Sequence, residues 1–343
     1  MCNKKFNEVA FLTTHNAYNS SQGNFSLPNQ NFNIVTQLNN GVRGLMIDVH
    51  DSFGTLLVYH GSQILGSQPF IDYLNQINTF LSNNSNEIVV LILECYADAN
   101  SIENVINQSG LNTYLYTHDS IQGWPSLQTM IDSNERLVIF SDENDAGPNQ
   151  QWYHYVWDYA VETHYSVNNQ NDFTCDFNRG DSLNDLFIFN HFVTTPLGTG
   201  DENASLAANS NPFFWNRVLQ CQQEKNKFPN FITVDFYDLG NAHDVVNQLN
   251  EVVTTIEESI GFSTTNLKVF PNPSNQFINI ELGKKVEVPY SITIYSSIGK
   301  QLFFESDLLE KKIKIEYKLP KELCLIVVQD KNNELHTLSV INK

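Results

Sequence analysis

Seven apolar runs of strand length constrain this chain more than any other feature: 9–14, 44–50, 56–60, 88–95, 136–141, 186–192 and 231–237. Most are apolar nearly throughout, as strands covered on both faces must be. Segments of helical spacing lie between them. One opens at Pro69 and runs to about Asn84, one follows Trp124-Pro125 to Ile131, one follows Asn211-Pro212, and the last spans 242–260. This alternation predicts an α/β fold, a (β/α)8 TIM-like barrel with its chemistry at the C-terminal strand ends. The linker Asp51–Thr55 is too short for a helical crossover, so the barrel is expected to be irregular.

After Gly261 the texture changes to seven short runs: 267–270, 277–282, 291–295, 301–304, 313–317, 323–329 and 335–341. Turn formers at Asn272–Asn275 and Asp330–Asn333 separate some of them. They predict a small β-sandwich, so the chain divides into 1–262 and 263–343. The formal net charge is −19, and the tail holds 11 lysines against 9 acids, so all the excess negative charge lies in the first domain. Such a domain is repelled by nucleic acid and by anionic membrane surfaces unless cations intervene.

No window reaches about 18 consecutive apolar residues, so no membrane span is expected. Met1–Lys5 leads straight into the first strand without a signal peptide, which reads as a cytoplasmic chain or one whose leader has been removed. The five cysteines form no Cys-x-x-Cys zinc pattern. Cys95 and Cys324 read as buried thiols, whereas Cys175 and Cys221 could pair in an exported protein.

Two of the runs end in histidine, His15 and His60, with the acidic run that ends at Asp48-Val49-His50 between them. On neighbouring parallel strands these polar tips would emerge at one rim. Cleaving a phosphodiester requires a base for the attacking hydroxyl and an acid for the leaving oxygen, and imidazole suits both. It also requires positive charge at the non-bridging oxygens. Asn16, Asp48 and Glu94 offer three oxygen side chains of the kind that Ca²⁺ or Mg²⁺ takes. Asp235, at the end of the last run, can orient His15 as a carboxylate orients its histidine. Arg43 reads as structural, and His118, His154, His164, His243 and His336 as surface or packing residues. His191 is a reserve candidate, and Trp152, Tyr153 and Trp157 read as helix core.

These residues resemble a family. Thr13–Asn19, Gly41–Asp48, Tyr59-His60-Gly61, Asn86–Glu94, Trp124-Pro125-Ser126, Arg136–Phe140 and Phe228–Tyr237 are similar to the X-domain of phosphatidylinositol-specific phospholipase C, over about residues 5 to 260. The resemblance implies a distorted TIM barrel with His15 as general base, His60 as general acid, and His50 and Tyr237 as substrate contacts. In the calcium-dependent branch the ligands match Asn16, Asp48 and Glu94, but Met46 occupies a fourth, acidic position. In the metal-independent branch an arginine matches the position of His50. The expected cofactor is therefore Ca²⁺, with Mg²⁺ as the alternative, held by three ligands.

Lys268–Pro273 and Ile292–Lys300 resemble the C-terminal sorting domain of the type IX secretion system, although its usual Gly-x-Tyr stands here as Glu322-Leu323-Cys324. That implies a secreted or cell-surface protein read by the export machinery. An accessory carbohydrate-binding module is the alternative for the tail. The expected function is a phosphodiesterase acting on phosphatidylinositol, or on a related lysophospholipid or glycerophosphodiester. The rival is a catalytically inactive barrel that binds a ligand.

Overall fold

The computed structural model describes residues 1–259 except 120 and 196–198. It also describes 267–341 except 272–273, 275–276, 284–285, 297–300, 317–322 and 333–334. The chain divides into two compact units, Met1–Thr254 and Thr255–Lys343. The boundary read at 262 lies outside the described residues.

The first unit contains β1 (Phe11–Thr14), β2 (Gly44–Ser52), β3 (Thr55–Val58), β4 (Gln68–Pro69), β5 (Val89–Tyr96), β6 (Leu137–Ser141), β7 (Tyr153–Tyr155), β8 (Ala160–Glu162), β9 (Leu186–Asn190) and β10 (Phe231–Val234). Eight of these form one parallel sheet in the order β7-β6-β5-β2-β1-β10-β9-β8. This is the barrel the alternation predicted. Its two end strands, β7 and β8, are not paired with each other among the described residues.

Period-2 alternation divides the strand residues between two buried layers. Leu12, Leu45, Ile47, Leu91 and Leu93 pack against the helices. Phe11, Val90, Ile92, Phe140, Ile188 and Phe231 fill the inside of the curled sheet, with Met46 against them. Burial on both faces is why these runs carry no alternation in sequence. Gly44 sits where β2 passes closest to β1, since a Cβ there would lie 2.2 Å from Thr13 Oγ1.

Helices α1 (Ile34–Asn39), α2 (Phe70–Asn83), α3 (Ala99–Ser109), α4 (Leu127–Asp132), α5 (Glu202–Asn209), α6 (Phe213–Lys225) and α7 (Ala242–Ser259) cover the outside. Among the described residues no α-helix joins β6 to β7, β7 to β8 or β8 to β9. That is the irregularity, and it corrects one expectation. Trp152, Tyr153 and Trp157 do not belong to a helix. Tyr153 lies in β7 and donates its hydroxyl to Ser141 Oγ (2.8 Å), while Trp157 lies in a single 3-10 turn. Arg43 is structural as expected: Nη1 donates to Leu38 O and Val42 O, and Nε to Glu87.

A second correction concerns the strand that ends at His60. β3 does not run parallel to its neighbours. It returns antiparallel from β2 through the two-residue turn Phe53-Gly54, whose φ values of 55° and 83° suit a tight hairpin. The register pairs Val49 with Val58, so the chain after β3 comes back past Asp48, and His60 Nδ1 lies 3.1 Å from its carboxylate. The hairpin thus delivers from above the rim what a parallel strand would have delivered from below.

The second unit has two antiparallel sheets. One is β11 (Leu267–Phe270), β12 (Ile278–Leu282) and β15 (Lys312–Ile315). The other is β13 (Tyr290–Tyr295), β14 (Gln301–Leu308), β16 (Leu323–Gln329) and β17 (Leu335–Ile341). Leu267, Ile280 and Ile315 of the first share one buried cluster with Ile292, Ile294 and Ile326 of the second, so the unit is a small sandwich.

Candidate active site

His15 and Asp235 each follow the last residue of a strand, and the β1–β10 register pairs Thr14 with Val234, which sets them side by side. The backbone turns sharply there. Asn16 has φ 46° and Phe236 φ 45°, left-handed conformations that are uncommon for any residue with a side chain and costly for phenylalanine. His15 Nδ1–H donates to Asp235 Oδ1 (2.9 Å), and Asp235, only 1% exposed, accepts Asn29 Nδ2 on its other oxygen (3.0 Å). Phe192 stacks flat on the His15 ring, 3.8 Å between centroids and 8° between planes. The imidazole is therefore fixed in tautomer and in plane.

A second pair mirrors the first. His60 Nδ1–H donates to Asp48 Oδ2 (3.1 Å). Asn16 Nδ2 lies 3.3 Å from the same nitrogen. One ring nitrogen cannot donate to the carboxylate and accept from the amide at once, and the charged acceptor is the stronger partner. Asn16 Nδ2 instead donates to Asn29 Oδ1 (3.2 Å), which also accepts Asn19 Nδ2 (2.7 Å). Asn29 thus joins the His15–Asp235 pair to Asn16, whose amide lies beside the His60 ring.

His15, Asn16, Asp48 and Glu94 line one pocket with Met46, Asp142, Trp157, Glu162 and Arg179. The β2–β5 register places Asp48 opposite Glu94. Glu94 accepts the Tyr96 hydroxyl, and this bond raises the Tyr96 phenol well above its usual range. Burial pushes the Asp142 carboxyl up to about 6, with Glu94 adding to the shift. Among the described residues no three His, Cys, Asp or Glu side chains converge as a metal cluster. The oxygen set read from sequence has two carboxylates and an amide, all facing this pocket.

Several residues at or around the pocket came from no sequence signal. Arg179 lies in the pocket wall, over Trp157 (4.4 Å) and Tyr165 (4.8 Å), with its Nε donating to Glu162. Burial opposes its charge, but the Glu162 carboxylate more than offsets this and raises its pKa further. Asn29 and Phe192 were equally unmarked.

The structure does not bring every candidate to the pocket. His50 is stacked between Tyr59 (3.8 Å) and Tyr96 (4.5 Å) with Nε2 on Tyr59 O (3.0 Å), and burial lowers its pKa. It is a rim residue already committed to its neighbours. Tyr237 is 2% exposed, packs in the helix-side layer and accepts Asn40 Nδ2 at its hydroxyl (2.9 Å), away from the pocket lining. His191 is fully buried, with Nε2 on Ala208 O and Nδ1 on Arg217, and burial holds it well below its usual pKa. It is structural.

At the C-terminal end of the parallel barrel His15 lines this pocket, whereas His60 reaches it only through Asp48 and itself lines a small neighbouring cavity with Asn19, Phe25 and Thr199. Residues 1–250 match the family model described as PI-PLC X 1, and the chain belongs to that family. Residues 268–341 match the secretion system C-terminal sorting domain. A PI-PLC X domain-containing protein of Arabidopsis thaliana is 28% identical over 71% of this chain and 62% of its own length. An uncharacterized secreted protein of Arthroderma benhamiae is 26% identical over 72% of this chain and 61% of its own. This chain thus spans less than two thirds of those relatives. The phosphatidylinositol-specific phospholipase C of Listeria monocytogenes has the same fold, with a TM-score of 0.51 at 17% identity over 73% of this chain and 95% of that one.

Proposed function

We propose that the chain is a secreted phosphodiesterase that cleaves phosphatidylinositol or a related lysophospholipid or glycerophosphodiester by paired histidine catalysis. The observation that carries this reading is the pair of imidazoles each anchored at Nδ1 by a carboxylate, Asp235 for His15 and Asp48 for His60. With Nδ1 held by a carboxylate, proton exchange with substrate falls to Nε2. His15 takes the proton of the attacking hydroxyl, and buried Asp235 stabilises the imidazolium that forms. His60, entering as imidazolium, gives its proton to the leaving oxygen while Asp48 keeps the ring in place.

The pocket sets four carboxylates (Asp48, Glu94, Asp142 and Glu162) against the single guanidinium of Arg179 in its lining. A phosphate entering alone would meet net repulsion. Asn16, Asp48 and Glu94 would hold Ca²⁺, or Mg²⁺, there; the ion would supply positive charge at the non-bridging oxygens. Arg179 supplies the protein's own positive charge from the opposite wall. The same acidity favours a diester of low net charge over a polyphosphorylated one. The tail is inferred to direct export through the type IX machinery, which accords with the sorting-domain match.

Turnover of a chromogenic phosphodiester tests the reading. His15→Ala is expected to lose at least about 10²-fold on that substrate and His60→Ala as much on an alkyl diester, whose leaving oxygen needs a proton, the usual worth of a positioned base or acid. Losses below tenfold for both variants, each on its own substrate, would refute it. Phosphorus NMR of the product then shows whether a substrate hydroxyl or water attacks, since only the former yields a cyclic phosphate.

A further inference from the structure

Arg179 reaches the pocket from a segment that is fastened residue by residue to α6. The Arg217 guanidinium of α6 lies 4.3 Å over the Phe173 ring, and its Nη2 donates to Thr174 O (3.0 Å). Cys175 is disulfide-bonded to Cys221, with 5.0 Å between their Cα atoms. Asp176 pairs with Lys225 Nζ (3.2 Å), and that ammonium sits 5.3 Å over the Phe177 ring. Arg217, Cys221 and Lys225 are four residues apart and so occupy one face of the helix. Five consecutive residues, Phe173 to Phe177, are thereby attached to it.

The segment then lies along β8. Asn178 N–H donates to Glu162 O (2.9 Å) and Glu162 N–H to Arg179 O (3.0 Å). Gly180 follows with φ 84°, where a Cβ would fall 2.0 Å from Ala160 O. Backbone pressed this closely against the strand fixes where the Arg179 side chain leaves it.

The non-covalent fastenings to α6 are an exposed ion pair and the contacts of one buried guanidinium. The Asp176 side chain is 82% exposed, so its ion pair is screened by water and salt. Arg217 is 6% exposed and has carbonyl, ring and histidine neighbours, but no carboxylate among the described residues, and its Nε makes no hydrogen bond. Burial alone lowers its pKa to about 9. A guanidinium so placed gains by returning to water, and opening the 173–177 segment would admit it.

We propose that the Cys175–Cys221 disulfide is a redox switch that holds Arg179 in the catalytic pocket, the oxidised protein being competent and the dithiol form attenuated. The catalytic consequence rests on the phosphodiesterase reading; the mechanical one does not. An external dithiol of the kind present in a reducing cytoplasm supplies two electrons and two protons. The S–S bond breaks, two cysteine thiols form, and the reductant closes into its own disulfide. A chain destined for export would stay attenuated among the lipids of the cell that makes it and become competent on reaching an oxidising compartment.

Amide hydrogen exchange on the full chain, oxidised and reduced, tests the mechanical half without any turnover. Amides of 173–180 are expected to lose about tenfold or more of their protection on reduction, while β5 and β10 keep theirs. Unchanged protection at 173–180 would overturn the proposal. So would equal loss throughout the barrel, which would make the bond a general staple. For the catalytic half, reduction or the Cys175→Ser/Cys221→Ser double variant is expected to raise KM about tenfold with kcat little changed. Arg179→Ala is expected to reproduce that rise in the oxidised protein and to remove the response to reductant. An Arg179→Ala variant that still responds like wild type would refute the link. Absence of turnover in the oxidised wild type would defeat the phosphodiesterase reading and leave the exchange result to decide the switch.

Discussion

Asp235→Asn tests the site most sharply, because the structure dictates which way the introduced amide must face. Asn29 Nδ2 donates to one Asp235 oxygen and His15 Nδ1 lies 2.9 Å from the other. An amide at this position keeps its oxygen toward Asn29 and turns its NH2 toward His15. That donor forces His15 Nδ1 to accept, which moves the ring proton to Nε2, the nitrogen that must be empty to act as base. The substitution therefore removes the general-base contribution of about 10²–10⁴ while every local hydrogen bond retains a partner. At about 1.4 kcal/mol per decade this is about 3–5 kcal/mol of transition-state stabilisation, against about 1 kcal/mol or less of folding stability. The assay is steady-state hydrolysis of a chromogenic diester by the single variants and by Asp235→Asn combined with His15→Ala. If Asp235 acts through His15, the double variant is no slower than His15→Ala alone. Multiplying losses, or a loss below tenfold in folded Asp235→Asn, would refute the reasoning.

Four further outcomes are expected. His60→Ala should lose at least about 10²-fold on an alkyl diester but far less on a nitrophenyl diester, whose leaving oxygen needs no proton; equal losses would deny His60 the acid's role. Calorimetry with Ca²⁺ on chelator-treated protein should show binding that Asp48→Asn weakens, whereas full activity in excess chelator would exclude a required cation. Gly44→Ala should destabilise by at least about 1–3 kcal/mol in urea unfolding, since its Cβ would overlap Thr13. Buried His154, whose pKa burial lowers to about 4, binds protons more readily when unfolded; its contribution is full above pH 6.5 and falls away toward pH 4, by up to about 3 kcal/mol. Asp142, raised to about 6 by burial, acts in the opposite sense over that range, so His154→Gln should improve acid stability, whereas Asp142→Asn should raise stability near pH 7 and change it little near pH 4.

The barrel was legible because strands buried on both faces cannot hide: Val89–Leu93 is apolar at every position and could be nothing exposed. β7 and β8 were not, since three residues containing His154 or Glu162 show no period. Helix α3 was also missed. Its core is rich in Asn and Ser, although its Asp98 cap and left-handed Gly110 stop stand in the sequence. At the site, His15, Asp48, Glu94 and Asp235 could be read because each ends a run. Asn29, Phe192 and Arg179 come from connecting segments whose path is set by tertiary contacts. The pairing of Asp48 with His60 depends on the antiparallel return of β3, which alternation alone does not reveal.

The proposed base and the proposed acid rest on different kinds of support. His15 grows from the barrel wall, where moving a backbone atom disturbs a packed interior on both sides. His60 hangs from an arm that begins at a two-residue turn in water. Lengthening that turn would shift His60 relative to a stationary His15, so on the proposed mechanism a lineage of such proteins could meet bulkier leaving groups by insertion at Phe53-Gly54 and leave the scaffold untouched.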